Sequence, residues 1–435
     1  MIYVERIIWA IATIMLLASG LYFTFKLKFV QFRIKDMIHS FKKNNKEIGI
    51  SPFKSLMMTL GARIGVGSLA GIALAIHYGG VGSIFWIWVS TLVCSANAFS
   101  ESVLGVMYRK KDKNNYVGGP SYYIESGMKN KRLGRIYAIA LIFAYVVGFL
   151  TVQSNTIVKS ITEVYNFNPL VIAATISILT LLVIFKGLNS IADFSSRLVP
   201  LMTIGYTLVC MYIIGTNITL MPDVIASIFI EAFNPSSMAI GVIVPIIIGF
   251  QRGTFSNEAG LGTGAIASAT ASTDSPTKQG FIQVFGIYIE TLILSSITAF
   301  VIILSNYKDI VWHNINGIEL TQNAFVYHLG GIGNYVVMVA ILLFAFSTII
   351  TGYYYGESSL KFLFKNISTA GLTSFKVLVI AILLIGGISS PTVIWLLADI
   401  FIVILGLINV YSLFSLRKNV INEYKYYKCK KKWYN

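Results

Sequence analysis

Charged side chains are scarce in this sequence of 435 residues, where Asp, Glu, Lys and Arg together make up 12%. Soluble domains carry about 25% charged residues. Hydrophobic residues make up 56% of the chain, and the mean hydropathy is +0.74. The scarcity of charge argues against an ordinary soluble domain and favours a chain that crosses a membrane several times.

Several sequence motifs of enzymes are also missing. The three cysteines suggest no pairing, so we expect no disulfide framework. The chain contains no Gly-Lys dipeptide and hence no Walker A loop, which argues against ATP-driven transport by this chain alone. The four histidines lack the HExxH spacing, and no G-x-S-x-G occurs. We therefore expect neither an enzyme nor an organic cofactor.

Apolar runs of about 20 residues recur along the whole chain and predict an all-α polytopic membrane protein. We expect one integrated helical bundle with about eleven transmembrane helices. The predicted spans are 7–28, 54–76, 83–107, 136–157, 169–185, 198–218, 236–272, 280–304, 334–360, 374–389 and 392–415.

The net charge of +16 is distributed unevenly among the loops between these spans. One side of the membrane receives 29 Lys and Arg residues and the other receives three. By the positive-inside rule, the N-terminus lies outside and the C-terminus in the cytoplasm. This pattern indicates a lipid bilayer partner and no nucleic acid. The basic tail 425–435 fits a topology signal and could also touch anionic lipid.

Two glycine-rich stretches interrupt the apolar pattern at matching positions. They are GARIGVGSLAG (61–71) in the second span and GFQRGTFSNEAGLGTGA (249–265) in the seventh. Spans two to six and seven to eleven form two sets of five, and an odd number means that the second set enters the membrane from the opposite side. Matched interruptions in inverted repeats are the best sequence indication of a secondary transporter's binding site.

The repeats divide the chain into four predicted segments. They are an extra helix with its loop (1–52), a first five-helix repeat (53–221), a second, inverted repeat (236–416) and a basic tail (417–435).

Each interruption is predicted to break its helix, at 65–68 and around 249–256, with the two breaks facing each other near the membrane midplane. Backbone groups freed by a break are tolerated only where protein, water, ion or substrate satisfies them. The N-terminus of a half-helix suits a carboxylate, and carbonyls at a half-helix C-terminus suit a small cation. Tight helix packing by small residues is the alternative explanation.

The same stretches resemble the alanine/glycine:cation symporter family, which comprises bacterial and archaeal sodium-coupled amino-acid carriers. The FSNEAG segment is the most specific match. The resemblance implies a leucine-transporter-type fold with one extra N-terminal helix, a small neutral amino acid as substrate and Na⁺ as coupling ion. It also implies a multi-pass protein, expected to be a monomer, in a bacterial or archaeal plasma membrane. The matching stretches are 65–90, 118–128, 152–155, 252–274 and 342–357.

The resemblance also implies which residues bind. Backbone amides of the first break would hold the substrate carboxylate, a glutamine would face the substrate, and residues of spans seven and nine would line the pocket. These substrate-binding residues are Gly65, Val66, Gly67, Ser68, Gln153, Phe250, Gly253, Thr254 and Gly352. Two carbonyls and two hydroxyls would hold Na⁺. These ligands are Gly61, Ile64, Ser347 and Thr348.

Two departures from the family pattern bear on the substrate. The family commonly has Thr-Gly-Asn where this chain has Val66-Gly67-Ser68, which removes one hydroxyl and shortens one side chain. The family often has Trp at the position of Gly352. Loss of that ring would enlarge the pocket and admit a larger substrate such as glutamine, unless a neighbour such as Tyr353 fills the space.

Six ionisable residues lie in or near the spans, and such groups are functional or paired by default. We expect internal ion pairs and gates, although a carboxylate could instead carry a proton and make the transporter proton-coupled. A sensor or receptor that kept the fold and lost turnover is the other open alternative. The six residues are Arg63, Glu101, Arg252, Glu258, Glu290 and Asp399.

Overall fold

The structure is a computed structural model. It describes residues 2–41, 48–112, 115–185, 187–233, 243–308 and 317–432.

The helices of the N-terminal half begin with one helix that precedes the first repeat. In chain order the elements are α1 (Ile2–Lys26), α2 (Ile34–His39), α3 (Pro52–Arg63), α4 (Ala70–Gly79), α5 (Ser83–Met107), the hairpin of β1 (Lys110–Asp112) and β2 (Asn115–Val117), α6 (Pro120–Gly127), α7 (Lys131–Thr162), α8 (Pro169–Ile184) and α9 (Leu188–Thr216).

The C-terminal half begins with a helix that connects the repeats. In chain order the elements are α10 (Met221–Ala232), α11 (Ile243–Asn257), α12 (Gly264–Thr270), α13 (Pro276–Ile303), α14 (Gly317–Leu329), α15 (Ile332–Leu363), α16 (Thr369–Ile388), α17 (Pro391–Ser415) and α18 (Arg417–Lys432).

In the described part of the chain, eight helices are long and apolar enough to cross a membrane. They are α1, α5, α7, α9, α13, α15, α16 and α17. The other three predicted spans correspond to the shorter apolar helix α8 and to the pairs α3–α4 and α11–α12, in each of which a helix is broken. Two long helices contain a π-helical segment, at Phe143–Phe149 in α7 and at Tyr288–Ser295 in α13.

Local sequence explains where several helices start. Ser51 caps α3 by accepting a hydrogen bond from the Lys54 amide, and Pro52 occupies the first turn, where its missing N–H is not needed. Asn168 caps α8 in the same way, ahead of Pro169.

The first predicted break, at 65–68, is confirmed. Helix α3 ends at Arg63, Ile64 leaves the helical conformation with φ −77° and ψ 79°, and a short 3₁₀ turn follows at Val66–Ser68. Helix α4 then begins at Ala70.

The second predicted break, around 249–256, is wrong in position. Helix α11 continues through Asn257, and the helical path is interrupted between there and the start of α12 at Gly264. Positive φ angles explain the interruption: Glu258, Gly260 and Gly262 have φ of 58°, 91° and 89°. Residues 236–242 of the predicted seventh span lie outside the described residues.

Gly249 and Gly253 serve close helix packing. A Cβ atom on Gly249 would lie 2.6 Å from the Trp86 Cβ, and one on Gly253 would lie 2.7 Å from the Ser90 Oγ. Both neighbours belong to α5, so this part of the glycine-rich stretch fits the small-residue alternative.

The halves of the two broken helices pack crosswise: α3 lies on α12 and α4 lies on α11. Helices α5 and α13, which follow the broken helices, pack along each other and against both broken pairs. This arrangement brings the two breaks together inside the bundle, as inverted repeats require.

Candidate functional site

The first break meets α7 and α15 at one point. The Val66 amide donates a hydrogen bond of 3.0 Å to Gln153 Oε1 on α7. A Cβ atom on Gly65 would lie 2.3 Å from Thr348 Oγ1 and 2.9 Å from Gln153 Oε1. Only glycine fits between these side chains, so Gly65, Gln153 and Thr348 form one cluster although they are far apart in sequence.

Oxygen atoms collect at the end of α3. Thr348 Oγ1 lies 3.1 Å from the Gly61 and Ala62 carbonyl oxygens and 3.2 Å from the Phe344 carbonyl oxygen. The buried hydroxyls of Ser347 and Thr351 have no hydrogen-bond partner. They lie 2.7 and 3.2 Å from the position that a Gly61 Cβ would take.

The structure thus places Gly61, Ser347 and Thr348 together. It adds the Ala62 carbonyl and the Thr351 hydroxyl, which were not among the predicted ligands. Ile64 lies at the start of the break, three residues along the chain from Gly61. These neutral oxygens could hold a hard cation such as Na⁺.

Helix α11 presents a different face to the first break from the predicted one. The position of a Gly67 Cβ lies 2.9 Å from the Ser256 Cα and 3.2 Å from Phe255 Cδ1. Phe250 instead belongs to a hydrophobic cluster with Leu16 of α1 and Cys94 of α5.

The predicted wall of Phe250, Gly253 and Thr254 is corrected in one respect: all three residues lie within the helix α11 and not at the break. Gly253 packs on α5, and Thr254 follows Phe250 by one turn. The residues of α11 that lie at the first break are instead Phe255 and Ser256. The error follows from placing the break in the wrong part of the glycine-rich stretch.

A buried carboxylate on α13 connects the two broken helices. Glu290 Oε1 accepts hydrogen bonds from Ser68 at 2.9 Å, from Ser295 at 3.0 Å and from Ser256. Its other oxygen accepts one from Thr291. The sequence showed Glu290 only as an ionisable residue, because the hydroxyls around it come together only in the fold.

Aromatic rings lie beside the same point. Phe255 stacks on Phe149 of α7 with ring centroids 4.7 Å apart, and Phe149 stacks on Tyr145 at the same distance. On its other side Phe255 lies 4.7 Å from Trp395 of α17. These four rings form a continuous layer across three helices.

The position directly beside Gly352, where an enlarged pocket was expected, is occupied. A Cβ atom on Gly352 would lie 2.7 Å from Leu150 Cδ1 and 3.1 Å from Tyr145 Cδ1. These side chains of α7, and not Tyr353, occupy the position where a larger side chain at residue 352 would begin.

A cavity of about 380 Å³ lies on one side of the aromatic layer, between α4, α7, α11, α14 and α17. Trp395, Arg252 and Asp399 contribute to its lining. Arg252 and Asp399 form a buried ion pair of 2.5 Å, and the Arg252 guanidinium lies 4.8 Å from the Trp395 ring centroid. This pair confirms the expectation of an internal ion pair.

On the opposite side, the half-helices α3 and α12 are held together. Ser55 Oγ donates to the Ala267 carbonyl at 2.8 Å. Ile50 forms an isolated parallel β-bridge with Ala271. Lys54 forms a 2.5 Å ion pair with Asp193 of α9. The aromatic layer thus has a cavity on one side, and on the other side direct contacts join α3 to α12 and α9, where Ile50, Lys54 and Asp193 also line a cavity of about 320 Å³.

Comparison with known families gives a match over nearly the whole chain. The family model described as "Sodium:alanine symporter family" matches residues 1–434.

Curated relatives are similar over most of their length. The amino-acid carrier protein AlsT of Bacillus subtilis is 38% identical over 426 residues, covering 97% of this chain and 89% of the relative. The probable sodium/glutamine symporter GlnT of the same organism is 35% identical, covering 98% and 90%. The sodium/alanine symporter AgcS of Methanococcus maripaludis is 32% identical, covering 95% and 93%.

Solved structures share the fold. MhsT in complex with L-phenylalanine matches with a TM-score of 0.56 at 14% identity, covering 87% of this chain and 98% of that one. A manganese transporter of Eremococcus coleocola matches with a TM-score of 0.53 at 14% identity, covering 83% and 78%. At this level of identity the likeness concerns the fold alone.

Proposed function

This chain belongs to the sodium:alanine symporter family, and we propose that it is a secondary active symporter that carries a small neutral amino acid together with Na⁺. The observation that carries the proposal is the meeting of Gly65, Gln153 and Thr348 at the first break. There, backbone amides lie beside an oxygen cluster.

The substrate carboxylate would bind at the amides of Gly65 to Ser68. Because Gln153 Oε1 accepts from the Val66 amide at 3.0 Å, it holds the place of a carboxylate oxygen. A substrate carboxylate that takes this amide displaces the Gln153 oxygen. The Gln153 amide group would then turn to the substrate.

Na⁺ would bind between the end of α3 and Thr348. The Thr348 hydroxyl already touches two carbonyl oxygens there, and the unpartnered Ser347 and Thr351 hydroxyls supply further neutral oxygens. A bound cation would also neutralise part of the charge of a nearby carboxylate substrate, which couples the two ligands.

The packing around Gly352 favours alanine or glycine over glutamine. Leu150 and Tyr145 occupy the space beside this glycine, so this wall does not extend the pocket. Because the relative GlnT is named as a probable sodium/glutamine symporter, glutamine is included among the substrates to be tested.

We further propose that the 380 Å³ cavity faces the outside. Its lining includes Tyr78 and Lys159 and lies away from the basic loops that the positive-inside rule assigns to the cytoplasm. The contacts of Ile50, Lys54 and Ser55 would then close the cytoplasmic side. The N-terminus would lie outside.

The test is uptake by purified protein in liposomes. Each of the twenty radiolabelled amino acids is offered with an inward Na⁺ gradient, with an equal K⁺ gradient and with a pH gradient alone. We expect concentrative uptake of alanine or glycine that needs Na⁺. Uptake driven by the pH gradient alone would identify H⁺ and not Na⁺ as the coupling ion. Binding without uptake would favour the sensor alternative.

A further inference from the structure

Glu258, the glutamate of the FSNEAG segment, has no role in the proposed amino-acid or Na⁺ sites. It is the first residue after α11 and takes a left-handed backbone conformation with φ 58°. Its side chain is fully buried. Such a residue combines backbone strain with the cost of burying an ionised carboxylate.

The charges around Glu258 do not balance. Glu101 of α5 and Arg63 at the end of α3 are also fully buried, and the guanidinium lies within electrostatic range of both carboxylates. One cation thus faces Glu101 and Glu258, and Glu290 is a third carboxylate close to Glu258. The ionisable groups that face Glu258 are Arg63 from α3, Glu101 from α5, Tyr137 and Tyr145 from α7, Glu290 from α13 and Tyr355 from α15.

Glu101 is the better stabilised anion of the pair. Its Oε2 accepts hydrogen bonds from the Gly262 amide at 2.9 Å and from Asn409 Nδ2 at 3.0 Å. Hydrogen bonds to the ionised form favour a carboxylate. Glu258 Oε2 accepts from the Thr263 hydroxyl at 2.7 Å, and the Tyr145 hydroxyl lies beside the same carboxylate, so in the described part of the chain the donors around Glu258 are hydroxyls and none is an N–H group.

The geometry at Gly264 directs Arg63 towards Glu101. The position of a Gly264 Cβ lies 2.8 Å from Arg63 Nη2, 3.6 Å from Glu101 Oε1 and 3.7 Å from Gln283 Oε1. All three atoms are buried and without a hydrogen-bond partner. They lie around one point, which places the guanidinium beside the Glu101 carboxylate.

We propose that Glu258 is a proton-binding site, protonated in this conformation. Arg63 and two N–H donors stabilise Glu101 as an anion, and four hydroxyls donate to Glu290, so the uncompensated charge belongs to Glu258. A bound proton neutralises this charge and needs no further ligands, whereas a metal ion at Glu258 would be repelled by Arg63.

Proton binding would be linked to the shape of the second break. Glu101 accepts from Gly262 and Glu258 accepts from Thr263, so both carboxylates are bonded to the segment that separates α11 from α12. A movement of this segment changes both bonds and hence the proton affinity of Glu258. The link to transport rests on the proposed symport, but the proton site itself does not.

The experiment is infrared spectroscopy of the purified protein in lipid, which detects the carbonyl stretch of a protonated buried carboxylic acid. We expect wild type to show this band at neutral pH and Glu258→Gln to lose it. Because Asp and Glu acids absorb at different frequencies, Glu258→Asp should shift the band, whereas Glu101→Asp and Glu290→Asp should leave its frequency unchanged. Glu357→Gln, at the buried glutamate that pairs with Lys361, is the control for an unrelated carboxylate.

Absence of the band in wild type would overturn the proposal. A shift in Glu101→Asp or Glu290→Asp, with none in Glu258→Asp, would also overturn it by placing the proton elsewhere. The measurement needs neither Na⁺ nor amino acid, so it is independent of the uptake test. A protein that fails in uptake can still show the band, and a Na⁺ symporter can lack it. Elution as a single species on size exclusion confirms that each variant is folded.

Discussion

At the scale of single residues, Thr348 connects α15 to the last turn of α3. Its hydroxyl lies 3.1 Å from two carbonyl oxygens. Replacing Thr348 with Ala removes one proposed Na⁺ ligand while keeping the backbone. We expect the apparent Na⁺ affinity in alanine uptake to fall by about tenfold, since a hydrogen bond or ligand contact to a charged group contributes about 1.5–3 kcal/mol.

Thr373→Ala is the matched control for this variant, because Thr373 is exposed and bonds only to the carbonyl four residues earlier. Its Na⁺ dependence should equal that of wild type. A transport-competent Thr348→Ala protein with unchanged Na⁺ affinity would reject this cation site.

The second prediction at this scale concerns the stability of a variant at Gly352. Because Leu150 and Tyr145 fill the adjoining space, Gly352→Trp should overpack the interface of α15 with α7 and lower stability by about 1–3 kcal/mol. The measurement is the melting temperature in detergent. Gly205→Trp is the control, since nothing lies within 4 Å of that position.

The expected result for Gly352→Trp is therefore a lower melting temperature, with the uptake of every substrate reduced alike. A variant of normal stability that excludes only large amino acids would instead restore the enlarged-pocket interpretation.

At the scale of elements, the two faces of α11 have different tasks. Ser256 donates to Glu290 and touches the first break, whereas Phe250 packs in a cluster with α1 and α5. Ser256→Ala should raise the KM for alanine by about tenfold, because it removes a hydrogen bond to a buried carboxylate. Phe250→Leu should lower stability by about 1 kcal/mol and leave the KM unchanged.

Uptake kinetics and melting temperatures of both variants separate these effects. The opposite pattern is a changed KM in Phe250→Leu and an unchanged KM in Ser256→Ala. It would show that the face of α11 with Phe250 lines the substrate site, as the sequence predicted.

At the scale of the whole molecule, the exposed Cys429 reports the side of the membrane on which α18 lies. Cys94 and Cys210 are buried, so a membrane-impermeant maleimide should label the native protein at Cys429. With 29 basic residues on its side, we expect labelling in inside-out vesicles only.

A Cys429→Ser protein that carries Tyr78→Cys provides the complement, because Tyr78 is 56% exposed and lines the cavity. This variant should be labelled in right-side-out vesicles. Labelling of both positions from the same side would contradict the proposed orientation.

The sequence by itself determined the features that depend on composition and local pattern. Long apolar runs predict helices wherever a membrane must be crossed, and the predicted span 83–107 coincides with α5 (Ser83–Met107). The first break was predictable because GARIGVGSLAG confines its flexible residues to a few positions. The FSNEAG segment indicated the family without any structure.

Only the tertiary structure decided the position of the second break and the face of α11. The stretch 249–265 contains glycines of two kinds that look alike in sequence: Gly249 and Gly253 fit against α5, while Gly260 and Gly262 take positive φ angles. The difference depends on what lies opposite each glycine. Three further features also arise between elements that are distant in the chain. They are the α7 side chains beside Gly352, the four hydroxyls on Glu290, and Arg63 beside Glu101 and Glu258. Sequence spacing carries no information about such contacts, because packing brings these side chains together only after the helices have formed.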